Sequence, residues 1–173
     1  MDTTTTKTKF SLTKHRRRTD ILLLLICVTG LMLAGMTGSL LGGSTIYYDD
    51  GIRPPFAMTA IYMTAVWNAM FTILGISLST IYRYRPTTNI TTKRKLISLI
   101  LFGAQTIFVL TYPLMFFRLS SHILALVWCA AIFAIMTAYM VYSAPLSKRA
   151  AFIIIPYLIW IAYCSYISIM MIL

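Results

Sequence analysis

Trp67 and Phe71 stand four residues apart in an uncharged run, so on a helix their rings share one face, which Met63 and Gly75 continue. The arrangement recurs twice further along the chain. Gln105, Val109, Tyr112 and Phe116 repeat at intervals of four, three and four, and Trp160, Cys164 and Ser168 at intervals of four. Each of these two stripes sets a polar atom beside aromatic rings. Ordinary helix packing accounts for any one stripe taken singly. Three together describe an apolar pocket with a few orienting hydrogen bonds, the usual make-up of a small-molecule site.

Reaction chemistry finds few parts. The chain has no glutamate, and its four acids are Asp2, Asp20, Asp49 and Asp50, so no carboxylate pair lies within the apolar runs for acid–base or proton-relay work. Ser77, Ser79, Ser98, Ser165 and Ser168 have no neighbouring histidine in sequence. His15 lies in the basic head, and His122, at the mouth of the fourth apolar run, reads as an interfacial polar residue rather than a metal or haem ligand. Cys27, Cys129 and Cys164 all fall in apolar runs without metal-type spacing and read as buried small hydrophobes. The expectation is a binding protein with no catalytic residues, no metal site and no obligatory cofactor.

The stripes need helices to carry them, and composition says where those helices lie. Of 173 residues 59% are hydrophobic and only 11% charged, against roughly 25% charged in soluble domains. This is an integral, multi-pass membrane protein. Ile21 to Gly42 is an uncharged stretch of 22 residues. At about 1.5 Å per residue it crosses a hydrocarbon core of roughly 30 Å, and it is too long for a signal-peptide core. Four more such runs follow, giving helices over approximately 21–42, 57–82, 96–117, 120–143 and 150–173. Lipid cannot satisfy bare backbone groups and the runs lack barrel-type alternation, so the fold class is all-α, a five-transmembrane-helix bundle. Residues 1–20 form a basic head expected to be disordered, and residues 21–173 a single membrane domain.

Lysine and arginine placement orients the bundle. Thirteen of the 15 basic residues lie in the head, in the turn around Arg83 to Lys95, and at Lys148 and Arg149, all on one side; Arg53 and Arg118 lie on the other. The N-terminus is thus expected in the cytoplasm and the C-terminus outside it, with the cell membrane the expected location. This topology accounts for the net charge of +11 and removes the reason to invoke nucleic acid. Gly38 and Gly42, at GxxxG spacing beside the ridge of Gly35, Ser39 and Gly43, admit two readings: close packing inside the bundle, or a homodimer.

The stretch from Tyr47 to Gly75 joins a polar, proline-bearing loop to the Trp67 helix, like a lid attached to a wall. Here the chain resembles the TspO/MBR family of tryptophan-rich sensory proteins, which includes the mitochondrial translocator protein, the peripheral benzodiazepine receptor. The family loop W-x-x-L-x-K-P-x-W-x-P-P is matched by Tyr47, Arg53, Pro54 and Phe56, and the helix V-W-x-x-L-Y-x-x-x-G by Val66, Trp67, Met70, Phe71 and Gly75. A third-helix block is matched through Gln105, Phe108, Val109, Tyr112, Pro113, Phe116 and Phe117, and the last helix through Pro156, Tyr157, Leu158, Trp160, Ile161, Tyr163, Cys164, Ile167 and Ser168. The likeness covers roughly residues 20 to 173. Departures trim hydrogen-bonding groups: Val109 and Ser168 stand where the family has asparagine, Tyr112 and Phe56 where it has tryptophan, and Met58-Thr59 where it has Pro-Pro.

What the resemblance implies is a receptor or translocator-type protein that binds porphyrins and other tetrapyrroles, and in animals sterols and benzodiazepine-type drugs, beneath the first loop. Carried over by position, the pocket residues are Tyr48, Trp67, Phe71, Val109, Tyr112, Phe116, Trp160 and Cys164. A flat macrocycle would stack on Trp67 and Trp160, and Arg53 at the mouth could pair with a propionate. The alternatives are a porphyrin-degrading enzyme, which the family resemblance suggests, and a small dimeric membrane transporter.

Overall fold

The computed structural model describes residues 3–42 and 55–173, with side chains in the first helix from Thr19 onward. The helices are α1 (Thr3–Gly42), α2 (Ala60–Arg83), α3 (Asn89–Pro113, continued by a π-helical turn at Leu114–Arg118), α4 (His122–Ser143), α5 (Lys148–Phe152) and α6 (Ile155–Met170). Five of the resulting segments, of 22 to 30 residues each, are long and apolar enough to cross a membrane, the last being α5 and α6 together. Among the described residues there is no strand.

Three boundaries differ from the sequence expectation, each for a local reason. α1 begins at Thr3, so the backbone of the head continues the first helix; residues 3–20 contain neither glycine nor proline to stop it. α3 begins at Asn89 rather than near 96. Thr88 and Thr91 form a capping box there, each side chain accepting from the other's backbone N–H, at 3.3 and 3.0 Å. The last span is interrupted after Phe152, because Pro156 has no N–H to return to the preceding turn and instead sits in the first turn of α6.

The helices close into a ring. α1 packs against α2 on one side and α3 on the other, α3 against α4, α4 against α6, and α5 and α6 meet α2. The glycine ridge of α1 is used inside this ring: a Cβ on Gly38 would lie 2.7 Å from the Leu110 carbonyl oxygen, and one on Gly42 would lie 2.6 Å from Pro113. Gly38 and Gly42 are therefore taken up by close packing inside the bundle. The opposite side of α1, with Leu22, Ile26, Leu33, Met36 and Leu40 exposed, faces outward as lipid-contacting surface.

Buried polar groups lock the half of the bundle nearer the basic turns. The Ser77 hydroxyl donates to the Ala150 carbonyl at 2.7 Å and lies 2.8 Å from the Tyr139 hydroxyl, tying α2 to α4 and α5. Gln105 Nε2 donates to the Tyr157 hydroxyl at 2.7 Å, tying α3 to α6. Lys95 Nζ donates to the carbonyls of Tyr82 and Tyr84 at 2.7 and 2.9 Å, satisfying groups that the end of α2 leaves open. With one half pinned in this way, the opposite half is where α2, α3 and α6 hold their aromatic rings.

Candidate ligand-binding site

Trp67 is the centre of the aromatic row. Its ring stacks on Phe71 one turn along α2, at 5.6 Å between centroids and 27° between planes. It also reaches Tyr112 of α3 at 6.2 Å and meets Trp160 of α6 edge to face, at 5.9 Å and 88°. From Tyr112 the row continues to Phe116 at 5.9 Å, and from Phe116 to His122 at 5.1 Å. From Trp160 it continues to Tyr163 at 5.1 Å, stacked, and then to Tyr166 at 6.4 Å. Three helices far apart in sequence therefore bring Trp67, Phe71, Tyr112, Phe116 and Trp160 into one contacting set.

The π-helical turn positions one end of the row. Pro113 cannot donate a backbone hydrogen bond, and after it the helix widens over Leu114–Arg118, with the Leu119 N–H bonded to the Leu114 carbonyl at 3.0 Å. Phe116 is buried there with Phe117 perpendicular to it, ring to ring at 4.9 Å.

The other expected site residues fall differently. Val109 is buried and lines a crevice of about 10 Å³ with Leu31, Gly35, Phe71 and Gln105, barely room for one water. Cys164 is buried one turn beyond Trp160, and its carbonyl accepts from Ser168 Oγ at 3.0 Å. Gln105 and Ser168, the polar members of the stripes, thus spend hydrogen bonds on the protein itself. Tyr48 and Arg53 lie outside the described residues.

Sequence spacing missed a clasp. Tyr163 donates its hydroxyl proton to the Phe56 carbonyl at 3.1 Å and accepts from the Met58 N–H at 3.0 Å, while Tyr166 donates to the Pro55 carbonyl at 3.0 Å. These bonds hold the end of the first loop on α6. Phe56 has φ of 62°, left-handed backbone that a bulky residue rarely adopts, and its side chain is 89% exposed. Phe56 therefore does not cover the aromatic row, as its place in the lid suggested it would. Trp160, Tyr163 and Tyr166 recur at intervals of three, a second helical stripe that could have revealed the clasp. Among the described residues, two buried side-chain nitrogens, Trp160 Nε1 and His122 Nδ1, have no hydrogen-bond partner.

The sequence pattern of the TspO/MBR family matches residues 22–173, the whole of the five-span bundle apart from the start of its first helix. The chain belongs to the TspO/MBR family. Two bacterial relatives agree with this membership. The tryptophan-rich protein TspO of Chlorobaculum tepidum is 24% identical over 151 residues, covering 86% of this chain and 93% of the relative. The tryptophan-rich protein TspO of Bacillus cereus is 26% identical over 125 residues, covering 70% and 76%. This TspO/MBR chain has three tryptophans, two of which, Trp67 and Trp160, meet edge to face between α2 and α6.

Proposed function

We propose that this protein binds a tetrapyrrole, or a flat hydrophobic molecule of similar size, among Trp67, Phe71, Tyr112, Phe116 and Trp160, with Val109 and Cys164 below them and Tyr48 and Arg53 at the mouth. The observation that carries the reading is the contacting row of rings contributed by α2, α3 and α6. Face-to-face and edge-to-face ring contacts are what a flat macrocycle can replace with its own π-surface. The rings touch one another, so a ligand enters by parting Trp67 from Trp160. Among the described residues no hydrogen bond joins Trp67 to Trp160, and the clasp of Tyr163 and Tyr166 on residues 55–58 bounds that motion on the loop side. On this reading the protein is a receptor or translocator in a cell membrane, with the basic end of the bundle in the cytoplasm and the aromatic row toward the other side.

A ligand that binds only the folded state raises its stability. Protoporphyrin IX at 100 times its dissociation constant is expected to stabilise the detergent-solubilised protein by about 2.7 kcal/mol, seen as a higher melting temperature. The shift should shrink in Trp67→Ala. An unchanged melting temperature in the unsubstituted protein would remove the tetrapyrrole reading, and an equal shift in Trp67→Ala would remove the site.

A further inference from the structure

The buried polar side chains around the row account for their hydrogen bonds well. Gln105 is bonded to Tyr157, Ser77 to Ala150, Ser168 to Cys164, and the indole N–H of Trp128 donates to Thr111 Oγ1 at 2.9 Å. Among the described residues, the buried side-chain nitrogens and oxygens left without a partner are two, Trp160 Nε1 and His122 Nδ1. Both belong to rings in contact with the aromatic row. Trp160 meets Trp67 on one flank, and His122 meets Phe116 at the end of the row. A buried polar group without a partner costs free energy of about 1–3 kcal/mol, so native structures rarely leave one idle. Two in one neighbourhood, in a core that is otherwise satisfied, mark a place where something else supplies the partner.

We infer that Trp160 Nε1 and His122 Nδ1 are hydrogen-bonding contacts to the ligand, fixing one oxygen-bearing group of the bound molecule beside Trp160 and another beside Phe116. This rests on the tetrapyrrole reading and narrows it. The indole N–H can only donate, so it requires an acceptor such as a carbonyl or carboxylate oxygen. The imidazole nitrogen can donate or accept according to tautomer, and Arg118, exposed at the end of the π-helical turn four residues before His122, supplies positive charge on that side. The carboxyl-bearing edge of the ligand therefore belongs at the His122 end. Trp160 Nε1 is an uncharged donor, so a neutral carbonyl satisfies it as fully as a carboxylate does. The ligand class is a flat apolar molecule with oxygen functions at two edges, rather than a bare hydrocarbon macrocycle or a sterol with one hydroxyl.

The test uses three probes of similar shape: diacetyldeuteroporphyrin IX, which carries two propionates on one edge and two acetyl carbonyls on the opposite edge, its dimethyl ester, and etioporphyrin, which carries no oxygen. Affinities are read from the Soret-band shift in detergent, for the unsubstituted protein, Trp160→Phe and His122→Phe. Phenylalanine keeps a ring in each contact and removes only the nitrogen, and equal melting temperatures of the unliganded variants confirm intact folding. Loss of one hydrogen bond should weaken diacetyldeuteroporphyrin IX by between about twofold and tenfold in each variant. Trp160→Phe should weaken the dimethyl ester as much as the acid, whereas His122→Phe should weaken the acid more. Neither variant should weaken etioporphyrin. Equal losses for all three probes would mean that the rings act by packing alone, and no loss for any probe would mean that the nitrogens do not touch the ligand; either result overturns the inference and leaves the binding site standing. Absence of saturable binding of every probe to the unsubstituted protein would remove the tetrapyrrole reading and this inference together.

Discussion

Trp67 owes its importance to what it touches: Phe71 on its own helix, Tyr112 and Trp160 on two others. The first of these contacts is legible from a spacing of four, and the other two are not, since periodicity assigns a face to each helix without saying which faces meet. The same limit explains Gln105. Its place in an aromatic stripe suggested a hydrogen bond for a ligand, yet the residue that takes its amide, Tyr157, lies 52 positions away. The pair gives a prediction at this scale. Gln105→Leu and Tyr157→Phe should each lower stability, and the double variant should lose less than the two single losses combined. In membrane proteins such coupling averages about 0.6 kcal/mol and reaches about 1.7. Unfolding midpoints in mixed micelles measure it, and strict additivity would show that the two side chains do not act together.

Helix ends and helix contacts come next. The five spans were legible because lipid demands long uncharged runs, and the start of α3 was not, because Thr88 and Thr91 cap each other through geometry that hydropathy ignores. The break after Phe152 had its signal in Pro156, and the π-helical turn had a weaker one in Pro113. The glycine spacing in α1 was visible but its use was ambiguous until Gly38 was found against the Leu110 backbone. Gly38→Val should therefore destabilise the monomer by about 1–3 kcal/mol through overpacking. Gly30→Val, where a Cβ would meet nothing within 4 Å, should be close to neutral. Thermal melts compare the two, and equal melting temperatures would place the ridge elsewhere than in the bundle. The clasp offers a second element-scale prediction. Tyr163→Phe keeps the stacked ring beside Trp160 but removes both loop hydrogen bonds, so amide exchange at Met58 should speed up while exchange in α2 and α6 stays the same. Unaltered exchange at Met58 would show that Tyr163 does not hold the loop.

The whole molecule is a ring of five spans whose aromatic row lies between the buried locks at Ser77 and Gln105 and the loop clasp at Tyr163 and Tyr166. On the proposed function, α2 and α6 part at the row while the locks at Ser77 and Gln105 hold the rest of the bundle together. The positive-inside reading places the row toward the non-cytoplasmic side. A reporter fused after Leu173 that is active only outside the cytoplasm is the expected topology result, and cytoplasmic activity alone would invert the bundle. Membership of the TspO/MBR family and the five-span fold were readable from Trp67, Gly75, Pro156 and the run lengths; the pairing of α2 with α6 was not, because the two are joined only by packing across the ring. The most direct measurement is the affinity for protoporphyrin IX, from Soret-band titration, in Trp67→Ala, Tyr112→Ala and Trp128→Phe. Trp128 packs on Phe108 and Thr111, away from the row. Affinity should fall at least about tenfold in the first two variants, the loss of about 1.4 kcal/mol that removing a stacked ring implies, and should stay unchanged in the third. Equal affinity in all three would contradict a binding site built on Trp67.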